Sequence, residues 1–114
     1  MTPFDPDDLA AAQTAAGLTE DQLLLDLGRA LAGPGADRDR GTGDLQGDAR
    51  NWFDRNRDSL RALLCGRPDL HALTDNATDI ATIADVLAGT YNKPTVFTIA
   101  AILLKRGIHR LCQD

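Results

Sequence analysis

Nine consecutive residues, Val96 to Leu104 (VFTIAAILL), are apolar but for Thr98, and this run restricts the folds open to the chain. Read as part of a helix that begins at Pro94, it is apolar on nearly every face. Such a helix belongs in the middle of a bundle. The run is also far short of the roughly 20 residues a membrane-spanning helix needs. The remaining composition favours the same class. Of the 49 apolar residues among 114, 34 are Leu or Ala and only seven are Val or Ile. Small and straight-chain residues lose little rotamer freedom in a helix, whereas strands prefer β-branched ones. The expected fold is all-α: a compact bundle of five or six short helices whose C-terminal helix is central and most buried. All 114 residues are expected to form one domain.

Local signals divide the chain into six helical segments. Asp5 and Pro6 read as an N-cap and first-turn proline, with Asp7 and Asp8 where the helix dipole favours anions. Gly17 ends this segment. Thr19 and Gln22 then form a capping box, and Leu18 and Leu23 occupy the positions of a hydrophobic staple. The second helix carries the stripe Leu24, Leu27, Leu31, with Gly28 between, and stops at Gly33-Pro34. Residues 33–44 (GPGADRDRGTGD) read as a flexible loop. A third helix from about Leu45 to Arg55 holds Trp52 and Phe53. Asn56 caps a fourth with the stripe Leu60, Leu63, Leu64, unless the two are one kinked helix. Gly66 and Pro68 end that unit, and Leu70 and Leu73 lie in an irregular link. A fifth helix capped by Asn76 shows Ile80, Ile83, Ala84 and Leu87 at helical spacing before Gly89. The sixth runs from Pro94 to about Leu111, with Lys105, Arg106, His109 and Arg110 in its last turns.

Charge is segregated along the chain. The net charge is −5, which argues against nucleic-acid binding through phosphate neutralisation. Residues 1–28 carry six acids and no base, and residues 68–92 four acids and no base. Residues 29–67 carry eight arginines against six aspartates, and residues 93–114 four bases against one acid. Blocks of alternating sign either pair within the fold or give it opposite faces for a partner.

The residues needed for catalysis are sparse. Ser59 is the single serine, nothing around it resembles a nucleophile elbow, and His71 and His109 lack the spacing of a metal-binding helix. No enzymatic activity, cofactor or metal site is expected. The loop Asp37 to Asp48 departs from a calcium loop at Gly41, Thr42 and Asp48, and its arginines repel a cation. Cys65 and Cys112 are too few for a disulfide framework and read as small core hydrophobes, with a metal or redox role as the alternatives. The start MTPFDPDDL lacks the basic and apolar regions of a signal peptide, so the expected location is cytoplasmic.

One constellation invites a partner. Arg50, Arg55, Arg57 and Arg61 surround Trp52 and Phe53, and arginine with tryptophan is the composition enriched at interface hot spots. Either the aromatics are core anchors beneath a solvated face, or they centre a basic docking patch. Acidic residues of the first two helices (Asp7, Asp8 and Asp21 among them) supply a complementary surface on a neighbouring copy. Contact between unlike patches then gives rings or filaments. Six short helices with oppositely charged faces resemble the death-fold-like adaptor modules that assemble signalling and defence complexes, a likeness of architecture that implies a protein-interaction function. The leading expectation is a non-catalytic interaction or adaptor module that binds another protein or itself. The alternative is a small-ligand or nucleotide-binding regulator using the glycine-rich loop 33–48. Membrane engagement by an extruded sixth helix is a third possibility.

Overall fold

In a computed structural model, which describes residues 6–33, 41–91 and 93–113, the buried apolar run of the sequence becomes the axis of the molecule. The side chains of residues 6–8, 93 and 94 lie outside this description. Six α-helices follow one another: α1 (Pro6–Ala16), α2 (Glu20–Ala32), α3 (Thr42–Leu64), α4 (Ala77–Leu87), α5 (Lys93–Arg106) and α6 (Ile108–Cys112), with a 3₁₀ turn at Pro68–Leu70. No strand occurs among the described residues. Helix α5 packs against α1, α2, α4 and α6, and every residue from Ile99 to Leu104 is buried. The expectation of an all-α bundle around its greasy C-terminal segment is met.

The helix starts follow the local chemistry. The Thr19 N–H donates to Gln22 Oε1 at 2.8 Å and the Gln22 N–H to Thr19 Oγ1 at 3.2 Å, the reciprocal bonds of a capping box. Asn76 Oδ1 accepts the Asp79 N–H at 2.8 Å, while Asp79 Oδ2 accepts the Thr74 N–H at 2.8 Å and Asn76 Nδ2 at 3.0 Å. The start of α4 is therefore tied down from both sides of its cap. Ile80, Ile83, Ala84 and Leu87 are all buried, as their spacing requires.

The structure decides between the two readings of the third and fourth segments, starts that helix at Thr42 inside the stretch 33–44 expected as a loop, and divides the sixth segment. The third and fourth segments are one uninterrupted 23-residue helix, α3. Asn56 does not cap anything. Its amide Nδ2 donates to the Trp52 carbonyl at 2.9 Å, four residues back, so the side chain is satisfied inside the helix. The sixth segment, conversely, is cut in two at Gly107, whose φ of +95° is open to glycine and strained for other residues. The two changes cancel in the number of helices but not in the architecture, because α6 turns back toward α3.

That turn brings the ends of α3 and α6 together. Cys65 and Cys112 stand 5.4 Å apart at their Cα atoms and are joined by a disulfide. The reading of both as free core hydrophobes is corrected. Each follows a leucine at a helix end, and the break at Gly107 carries one end to the other. The pairing also removes a support for the cytoplasmic expectation, since disulfides persist mainly in oxidising surroundings. A smaller correction concerns α2. Leu31 is 41% exposed, and the buried stripe is Leu23, Leu24, Leu27 and Gly28.

Candidate functional site

The charge blocks of the sequence meet across the fold. Among the described residues, ion pairs join an acid from one block to a base from another: Arg29–Asp26 (3.8 Å), Arg50–Asp21 (3.9 Å), Arg67–Asp69 (3.5 Å), Lys105–Asp75 (2.8 Å) and Arg106–Glu20 (3.4 Å). Part of the segregated charge is thus used internally. Arg50 and Asp21, both named as partner-binding candidates, engage each other between α3 and α2. Both remain well exposed, so the pair is held weakly.

Trp52 lies at the edge of the core. It is half-buried, with its ring edge-to-face on Phe53 (centroids 5.1 Å apart) and on Tyr91 (5.3 Å). The Tyr91 hydroxyl reaches Asn56 Oδ1 at 3.5 Å, which closes an aromatic and amide cluster on one side of α3. The ring is therefore an anchor with one accessible side. Of the remaining candidates on α3, Arg55 and Arg57 are exposed and Arg61 is half-buried. No acidic side chain among the described residues stands at ion-pair distance from these three. The candidates Asp7 and Asp8 fall in the first turn of α1, and their side chains lie outside the described residues. Residues 34–40 of the glycine-rich loop also lie outside them, while a Cβ at Gly41, Gly43 or Gly47 would meet open space among the described residues.

A cleft of about 300 Å³ opens between α3 and the α5–α6 corner, and the sequence did not reveal it. Its floor is apolar, from Phe53 and Leu60 of α3 and Leu103 and Leu111 opposite. Arg57 and Arg110 flank it from the two walls. Arg106 also lines it, with its guanidinium 5.1 Å above the Phe53 ring centroid while it pairs with Glu20. Asp54 is the acid on this cleft that Arg106 does not neutralise. The Cys65–Cys112 disulfide lies just past Leu64 and Leu111 and clamps the two walls together. A signal existed in the two Leu-Cys pairs at helix ends, but only the turn at Gly107 gives it meaning.

A second cleft, of about 450 Å³, lies between the 71–75 link and the α5–α6 corner. It gathers His71, Asp75, Lys105 and His109, so two histidines that look unrelated in sequence share one surface. His71 Nε2 is buried without a hydrogen-bond partner. Lys105 Nζ bonds Asp75 Oδ2 at 2.8 Å, and this bond holds the Asp75 carboxyl below its ordinary value of 3.8, with burial opposing. No group of three or more His, Cys, Asp or Glu suited to a metal ion occurs among the described residues.

Fold and site together define a small all-α bundle with a guanidinium-flanked apolar cleft held by a disulfide. Among the described residues, no helix is long and apolar enough to cross a membrane. Comparison with protein-family models, with curated proteins and with solved structures finds no match for the chain.

Proposed function

We propose that the protein is a non-catalytic interaction module that associates with further copies of itself through oppositely charged helix faces. The observation that carries this reading is the set of unpaired arginines on α3, of which Arg57 and Arg61 share one face. Arg29, Arg50, Arg67, Lys105 and Arg106 are each matched with an acid inside the fold, whereas Arg55, Arg57 and Arg61 of α3, like Arg110 of α6, have no acidic partner among the described residues. A chain of net charge −5 that keeps three such guanidiniums on one helix is suited to an acidic surface on another molecule. The acidic residues of the first block, Asp7 and Asp8 among them, provide that surface on a second copy. Unlike patches meeting head to tail build rings or open chains, an assembly mode suited to signalling or defence complexes.

Sedimentation velocity over a range of protein concentration, at about 50 mM and about 500 mM salt, tests the reading through its screening dependence. Association at low salt that weakens at high salt is expected, and joint Arg55→Glu and Arg57→Glu substitution should abolish it. A monomer at every concentration and salt level would overturn the proposal.

A further inference from the structure

Resting on the self-association just described, we infer that the cleft between α3 and α6 is the acceptor for the amino-terminal segment of a second copy. In this arrangement Phe4 enters the apolar floor, and Asp5, Asp7 and Asp8 face Arg57 and Arg110.

The cleft specifies the chemistry of its occupant. A floor of Phe53, Leu60, Leu103 and Leu111 takes a compact apolar group, and the two flanking guanidiniums take carboxylates beside it. Of the two acids on the cleft, Glu20 is engaged by Arg106 at 3.4 Å, and Asp54 forms no ion pair with Arg57 or Arg110 among the described residues, so neither occupies the flanking guanidiniums. The occupant is therefore an apolar side chain with acids on its flank and no nearby base. Within the chain, the stretch Glu20–Asp26 has acids and leucines, but Leu23 and Leu24 are fully buried and Glu20, Asp21 and Asp26 are in ion pairs. The stretch Asp75–Asp85 is likewise committed, with Ile80 and Ile83 in the core, Asp79 in the α4 cap and Asp75 on Lys105. The sequence MTPFDPDDL remains: one phenylalanine, three aspartates and no base before Arg29. Pro3 and Pro6 also bias Thr2 and Asp5 toward extended backbone, which lowers the ordering cost of docking.

The self-association proposed above assigns the segment to a neighbouring molecule. Docking in trans makes a heterologous contact, which extends the assembly.

The test is fluorescence anisotropy with an acetylated, labelled peptide of residues 1–9 titrated onto the full chain, beside sedimentation of full-length variants. Saturable binding is expected, weakened by about tenfold or more by Arg57→Glu with Arg110→Glu, and equally by Phe4→Ala in the peptide. Phe4→Ala in the full chain should also abolish its association while circular dichroism stays helical. A full-length chain that still assembles with Phe4→Ala, or with Arg110→Glu, overturns this inference and leaves the broader reading standing. A chain that never assembles overturns both, and if it nevertheless binds the peptide, the segment has been placed on the wrong molecule.

Discussion

Gly28 of α2 lies directly against the backbone of Leu45 in α3: a Cβ at position 28 would overlap the Leu45 carbonyl oxygen and sit 2.6 Å from its carbonyl carbon. The absence of a side chain lets the two helices cross at backbone contact. A rotamer change cannot relieve a clash with a main-chain carbonyl, so the helices must separate. Gly28→Ala is expected to destabilise the protein by about 1–3 kcal/mol in chemical denaturation, despite the better helix propensity of alanine. Gly47→Ala in α3 is the control. Nothing lies within 4 Å of its Cβ position, and the change should stabilise by about 0.5–1 kcal/mol. Equal effects at the two positions would show that the close crossing does not govern packing here.

The disulfide closes a segment with a sequence separation of 47 residues, from the end of α3 to the end of α6. Chain-entropy arguments assign a loop of that length about 4 kcal/mol, with measured values commonly about 2–4. Joint Cys65→Ser and Cys112→Ser substitution should lower stability within that range. A dithiol reductant should shift the wild-type denaturation midpoint to match and leave the variant unmoved. If the wild type is insensitive to reductant, the two cysteines are not bonded in solution.

The parts of the fold legible in the sequence are those governed by contacts a few residues apart. The Thr19–Gln22 box, the Asn76 cap and the α4 stripe each depend on spacing alone, and each forms as read. The central burial of Val96 to Leu104 was legible because a helix apolar on all sides has no surface to offer water. What was not legible depends on distant partners. Asn56 has the chemistry of a cap, and it lies mid-helix because the Trp52 carbonyl and the Tyr91 hydroxyl are there to satisfy it. Gly107 reads as one small residue in a helical run until its positive φ turns the chain. The candidate site shares this division. The arginines of α3 were visible as a cluster, but Arg106 and Arg110 read as dipole partners at a helix end. Their place on the cleft follows from α6 folding back onto α3.

The Asp75–Lys105 pair makes a small contribution to stability with a defined pH range. Its carboxyl titrates below the ordinary 3.8 because of the bond to Lys105, so a folded-state value depressed below the unfolded one applies. The stabilisation is complete above about pH 5 and fades as pH falls through the unfolded value toward the folded one. The Asp75 side chain is 47% exposed, so the pair is worth at most about 1 kcal/mol after solvent screening. Lys105→Met also removes the long bond to the Ala16 carbonyl. Denaturation curves of wild type and Lys105→Met should therefore differ near neutral pH and draw together as the pH falls through the depressed folded-state value, until the carboxyl is protonated in both states. A difference that stays constant through the acid titration would assign the effect to packing of the lysine stem.

Leucines 31 and 103 separate a surface contribution from a core one. Leu103 is 4% exposed on the central helix α5, where it also floors the cleft, while Leu31 is 41% exposed near the end of α2. Truncating Leu103 removes a buried apolar side chain of α5 that faces Phe53 and Leu60 of α3 across the cleft. Leu103→Ala is expected to cost about 2–5 kcal/mol, and Leu31→Ala no more than about 0.5 kcal/mol. The comparison is read from urea denaturation midpoints at constant slope, which keeps the unfolded reference common to both variants. A loss below about 1 kcal/mol at Leu103 would mean that α5 is not the helix the others enclose. The cleft floor would then lack the rigidity that an apolar anchor needs to bind selectively.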